Sequence, residues 1–200
     1  GAITVSYDNY PEWNGEFGHL FFDTPYDHYI LQLEYRFLGD QIAEGIAMAW
    51  AWRNSGVMVH SQNPTSMTLE QDFPVSLEAQ LLGAPEGEHR ATGNLCTPGT
   101  HVELAGALHT RHCINSLVPG IVGDEWALLE LEVRGTDVIR HFINGELAIE
   151  YRQSQLDTDD PDGRRLHESG TAVSLGSGYI ALQSESHPVQ FRNIRLLPLK

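Results

Sequence analysis

Apolar and polar residues alternate with a period of two along much of the 200-residue chain, the spacing of strands covered on one face. The clearest run is 29–37, where Tyr29, Leu31, Leu33, Tyr35 and Phe37 alternate with Ile30, Gln32, Glu34 and Arg36. In 56–62, Val57 and Val59 are expected to point inward, Met58 and His60 outward. The run 75–82 sets Leu77, Ala79 and Leu81 against Ser76, Glu78 and Gln80; 125–134 sets Leu129, Leu131 and Val133 against Leu128, Glu130 and Glu132. Near the C-terminus, Ile180 and Leu182 share one face and Tyr179, Ala181 and Gln183 the other. Val189 and Phe191 then alternate with Gln190 and Arg192, as in a hairpin with its apolar side in a core. Its polar side carries Gln183, Glu185, His187 and Arg192, which could address a ligand.

The segments between these runs are punctuated by turn chemistry. Asn144–Gly145 sits between two apolar runs spanning 138–151, and both residues tolerate the positive φ that a type I′ hairpin turn needs. The stretch 83–112 is rich in Gly, Pro, Thr and His and reads as loops with short strands. Residues 42–52 suit a short helix, or alternatively a strand or irregular excursion. The first 26 residues read as irregular, and 157–163 as an acidic loop with a turn at Pro161–Gly163. Seven or more short strands with little helix signal predict an all-β, two-sheet antiparallel β-sandwich. A jelly roll suits it better than an immunoglobulin sandwich, because the chain is long and its cysteines are too close together to bridge two sheets. One domain over 1–200 is expected, with 1–26 packed on it. The expected core is Leu31, Leu33, Val57, Val59, Leu77, Leu81, Leu129, Leu131, Ile180, Leu182 and Phe191.

Charge narrows the partners. Twelve basic and 27 acidic residues give a formal net charge of −15, which argues against nucleic acid and anionic membrane surfaces. No apolar run approaches the roughly 20 residues of a spanning helix, so membrane insertion is not expected. Gly1 reads as a cloning scar, in which case a signal peptide is already gone. Cys96 and Cys113, if paired, close a short loop worth about 3 kcal/mol by chain entropy. The pairing points to an oxidising compartment, secreted, periplasmic or at the cell surface; two reduced, buried thiols are the alternative.

Candidate chemistry sits on the polar strand faces. If the strands holding His60 and Glu78 are neighbours, the two form a proton-transfer pair tuned near neutral pH. Arg53 could clamp hydroxyls or steady an oxyanion, or could be only a surface ion-pair partner. His101, His109, Arg111 and His112 gather around the cysteine loop, but His109-x-x-His112 is not a zinc-protease spacing. Asp157, Asp159, Asp160 and Asp162 could take calcium, although Pro161 falls where an EF-hand needs a ligand. The chain has no GxSxG, P-loop or GxGxxG motif, so an elbow nucleophile, nucleotide binding and dinucleotide redox chemistry lack support.

Taken together, NSGVMVHSQ, SLEAQLLG, TGNLCTPGTHV with a later RHC, HFINGE and GYIALQSESHPVQFRNIRL resemble the 3-keto-disaccharide hydrolase family, secreted bacterial proteins. The resemblance runs from about Tyr29 to the C-terminus, and the C-terminal motif departs from the shorter His-Gly of many relatives. It implies a concanavalin-like jelly roll acting on glycosides whose C3 hydroxyl is already a ketone. A base removes the acidified C2 hydrogen, the enolate expels the C1 group, and water adds to the enone. In this chain Glu78, His60 and His141 could provide the proton transfer, with Glu78 the first choice of functional carboxylate because its neighbours Leu77 and Ala79 should be core. Arg53 would steady the enolate; a divalent metal, calcium or similar, could replace it there. Gln80 and Gln183 would hold sugar hydroxyls through planar amides, with Asn144 and His187 as further substrate contacts. A non-catalytic carbohydrate-binding module is the alternative reading, and a structural cell-surface module a third.

Overall fold

The computed structural model describes residues 1–42 and 49–200. Its strands begin with β1 (Ile3–Val5), β2 (Gly18–Phe21), β3 (His28–Phe37), β4 (Asn54–Ser61) and β5 (Leu77–Ala84). Next come β6 (Asn94–Cys96), β7 (Thr100–Leu104), β8 (Ala107–His109), β9 (Cys113–Ile114) and β10 (Ile121–Val122). The last five are β11 (Ala127–Arg134), β12 (Val138–Ile143), β13 (Glu146–Leu156), β14 (Tyr179–Ser184) and β15 (Val189–Pro198), with one helix, α1 (Pro161–Glu168), before β14. One sheet has eight strands in the order β1-β15-β3-β11-β12-β13-β7-β8; the other runs β2-β14-β4-β5-β6-β9, with β10 added parallel to β5. This is the expected two-sheet antiparallel jelly-roll sandwich.

Register explains how the alternation builds the core. Leu31 pairs with Leu131 and Leu33 with Leu129, so the apolar rows of β3 and β11 line up on the inner face. Val57 pairs with Ala79 and Val59 with Leu77, doing the same on the opposing sheet. Ten of the eleven expected core residues are buried, each full burial of an aliphatic side chain contributing roughly 1.5–3 kcal/mol. Leu182 is half-buried, since it packs on the core near the open side of the sandwich.

The structure differs from the sequence reading in three places. Residues 1–26 hold two strands, β1 pairing with β15 and β2 with β14; three and four residues are too few for a period of two to show. The acidic loop starts a helix. Asp160 caps α1, its carboxylate accepting from the backbone N–H of Asp162 and Gly163, with Pro161 at the first helical position. Strand β4 is buried on both faces, so its outer side is covered as well. Of the ambiguous run 42–52, residues 43–48 lie outside the described residues, and Ala49–Ala51 forms a 3₁₀ turn.

Cys96 and Cys113 are bonded, S–S 2.07 Å, across the pairing of β6 with β9. The outer face of the eight-stranded sheet is a charged ladder, Arg134–Glu132–Arg140–Glu150–Arg152. Among the described residues no helix is long and apolar enough to cross a membrane.

Candidate functional site

The outer face of the seven-stranded sheet carries the site, and β4 is its centre line. Asn54, Gly56 and Met58 face outward there, paired with Leu82, Gln80 and Glu78 of β5. On the other flank, the Leu182–Val57 pairing places Gln183 of β14 beside Gly56. Gly56 leaves room for a neighbour: a Cβ there would stand 2.7 Å from Glu78 Cγ and 2.9 Å from Cδ. The Glu78 carboxyl therefore lies over the middle strand. Glu185, two residues beyond Gln183, returns to the same face. Both carboxyls line one cavity of about 740 Å³, shared with Asn54, Gln80, Leu82, Arg90 and His112; Trp50 and Phe73 form its wall, with Pro98 and the disulfide beyond.

This cavity is electrostatically unusual. Glu78 is 6% and Glu185 3% exposed. Burial holds Glu78 well above the usual carboxylate range, and the nearby Glu185 charge adds to that. Burial also pushes Glu185 up to about 8, opposed by the Arg90 cation. Two buried carboxyls in one cavity resist double ionisation. Arg90 favours charge on Glu185, so Glu185 is the first of the two to ionise and Glu78 the one that keeps its proton. Glu78 Oε1, Glu185 Oε2 and Asn54 Oδ1 are buried acceptors with no protein partner, a costly state unless a ligand answers them.

Arg90 also braces the rim. It donates to the carbonyls of Trp50 (2.8 Å), Gly83 (3.1 Å) and Trp52, tying the turn before β4 to β5. Asn54 Nδ2 donates to the Trp50 carbonyl at 3.3 Å, which orients its free Oδ1. Gln80 Oε1 accepts from Asn94 Nδ2 at 3.0 Å, leaving the Gln80 amide N–H groups as donors.

The predicted residues divide. Glu78 and Gln80 line the cavity. Gln183 shares their face, fully buried, with neither amide atom partnered, and pairs in register with His19, whose Nε2 is also unpartnered. His60 and His141 are corrections. At His60 the chain takes φ +47° and the β4–β14 register slips, so its ring turns away from the outer face. Its Nε2 lies 3.1 Å from the Gly135 carbonyl, and it lines a separate cavity with Gln62, Arg165 and Tyr179; it is not a partner of Glu78. His141 pairs with Leu131 on the inner face. It is a core histidine, Nδ1 3.1 Å from the Gly93 carbonyl and Nε2 2.9 Å from Tyr151 Oη. Burial lowers its pKa to about 4, so it stays neutral.

Three expected substrate contacts lie elsewhere as well. Arg53 is bound to Asp124 at 2.7 Å and to the Gly123 carbonyl, and does not line the cavity. Asn144 sits at φ +50° at the hairpin tip and exchanges hydrogen bonds with Leu128, both 2.8 Å, which makes it a turn residue. His187 is buried edge-on to Phe37 and Trp52, its pKa lowered to about 4 by burial and then by Arg53. The sequence reading missed Arg90, which lies in a loop without periodicity, and the pairing of Glu185 with Glu78.

Among the described residues no three His, Cys, Asp or Glu side chains stand close enough to hold a metal ion. The divalent metal that could replace Arg53 finds no such ligand set among the described residues of this cavity.

The fold is similar to that of a candidate glycosyl hydrolase from Parabacteroides distasonis, with TM-score 0.54 and 18% identity over 94% of this chain and 89% of that one. It is also similar to the carbohydrate binding module CBM66 from Bacillus subtilis, with TM-score 0.51 and 11% identity over 92% and 83%. The family model described as a 3-keto-alpha-glucoside-1,2-lyase-like domain matches residues 1–197. No curated protein matches the sequence.

Proposed function

The chain belongs to the 3-keto-alpha-glucoside-1,2-lyase-like domain family, and from that premise we propose that it is a carbohydrate-active enzyme cleaving 3-keto-glycosides by elimination across C1 and C2. One observation carries the reading: Glu78 and Glu185, both buried with an unpartnered oxygen, line one cavity beside Arg90. A binding module needs an aromatic surface but has no use for two buried carboxyls converging on one cavity.

In this scheme Glu185, the carboxyl that Arg90 helps to ionise, takes the hydrogen from C2. The electron pair passes to the C3 oxygen as an enolate, within reach of the amide donors of Gln80. The enolate collapses, C1=C2 forms, the C1–O bond breaks, and protonated Glu78 gives its proton to the leaving oxygen. In a hydrating enzyme, water then adds at C1 and gives a proton to the Glu78 carboxylate, while Glu185, its proton exchanged with solvent, protonates C2. The roles of the two carboxyls thus come from the position of Arg90, and Glu78 changes from base to acid. The disulfide supports a site of action outside the reducing cytosol.

The test is turnover of 3-keto-glycosides beside their unoxidised parents. Release from the 3-keto forms alone is expected, falling by roughly 10²–10⁴ in both Glu185→Gln and Glu78→Gln. Sugar binding without turnover in the parent protein would replace the enzyme by a binding module.

A further inference from the structure

The cavity has two kinds of lining, and the proposed elimination uses only one. Its floor presents acceptors, the free oxygens of Glu78, Glu185 and Asn54. These suit the part of a substrate that carries hydroxyls. Its wall is mostly carbon, Trp50, Phe73, Leu82 and Pro98, with His112 as the one exposed polar side chain of the lining. Trp50 is 49% exposed, so it stands at the mouth while the carboxyls lie at depth.

Trp50 is also held still. Its ring stacks on Phe17 at 6.1 Å with 19° between planes, and Phe17 packs on Phe73 at 4.6 Å. Trp13 closes the cluster edge-on to Phe17 at 5.2 Å. The Trp50 carbonyl receives Arg90 and Asn54. A large aromatic side chain braced by rings and by backbone hydrogen bonds, yet half open, is a rigid stacking surface.

A keto-sugar with C2 over the carboxyl floor directs its C1 substituent towards the mouth. There the lining offers the flat apolar face of Trp50, and His112 as its one exposed polar side chain. A second sugar would leave hydroxyls poorly answered on that wall, whereas an aromatic ring would lose nothing. We propose that Trp50 forms the leaving-group subsite and that its occupant is an aromatic aglycone, so that phenolic glycosides are the favoured substrates. The inference rests on the elimination reading for its orientation, but binding tests it without turnover.

The experiment is calorimetric titration of unoxidised phenyl, methyl and glucosyl α-glucosides into the intact protein and into Trp50→Ala and Trp50→Phe. The phenyl glucoside should bind roughly tenfold more tightly than the methyl glucoside. Trp50→Ala should erase that preference and Trp50→Phe should keep part of it. Equal affinity for phenyl and methyl, equal weakening of both in Trp50→Ala, tighter binding of the glucosyl compound, or no measurable phenyl binding would each overturn the proposal. A phenyl preference in a protein that turns over no 3-keto-glycoside would leave the subsite standing and remove the reaction.

Discussion

The carboxyl of Glu78 lies in the space that a side chain at residue 56 would fill, so Gly56 on β4 is what lets the acid lean over the centre of the sheet. The colliding atoms are the far end of a flexible side chain, not backbone. Gly56→Ala should therefore displace Glu78 without breaking the sandwich. Turnover of a 3-keto-glucoside is expected to fall by about 10²-fold, the cost of misplacing a reacting group by about 1 Å, with the urea midpoint little changed. Normal turnover in Gly56→Ala would show that the pose of Glu78 does not matter.

The raised carboxyls give stability a pH signature. Glu185 titrates near 8 when folded, above its unfolded range, so the folded state holds more protons between the two values. Its stabilising contribution is full below the unfolded pKa and is lost as pH rises through about 8. The buried His141 and His187, lowered to about 4, act oppositely below pH 6.5. Between pH 6.5 and 9 the carboxyls dominate, and urea midpoints should fall with rising pH. Glu185→Gln should flatten that slope; an unchanged slope would place Glu185 in a wetter setting.

His141 should prove structural. His141→Phe leaves the Gly93 carbonyl and Tyr151 hydroxyl without their partner, a loss of roughly 1–3 kcal/mol. Chemical denaturation should register it, while kcat at a temperature where the variant is folded stays at the parent value. A selective loss of kcat would return His141 to the mechanism.

The Cys96–Cys113 bridge flanks Glu78, because Cys96 pairs with Glu78 in register on the neighbouring strand. Removing it in Cys96→Ser with Cys113→Ser should cost about 3 kcal/mol on the loop-entropy scale. Denatured, unreduced parent protein should show no free thiol; two free thiols would contradict the bridge.

The fold was legible because most core strands run long enough for a period of two to declare itself, as in β3 and β11. Strands β1 and β2 were not, being three and four residues long. Glu78 and Gln80 could be placed on one face from their spacing alone. His141 could have been assigned to the core on the same grounds, since Ile139 and Ile143 flank it at two residues on either side. His60 could not, because a positive φ and a register slip reverse its direction. Arg90 reaches the cavity from a loop, and the proximity of Glu185 to Glu78 depends on which strands neighbour β4, which no local pattern encodes.

The central claim, elimination through loss of the C2 hydrogen, is tested most directly by running a 3-keto-α-glucoside in heavy water and reading C2 by proton NMR in the first minutes. Elimination followed by hydration predicts a released 3-keto-glucose with deuterium at C2, and elimination alone predicts the enone without a C2 hydrogen. Released sugar that keeps its original C2 hydrogen would mean direct displacement at C1, and would contradict the account.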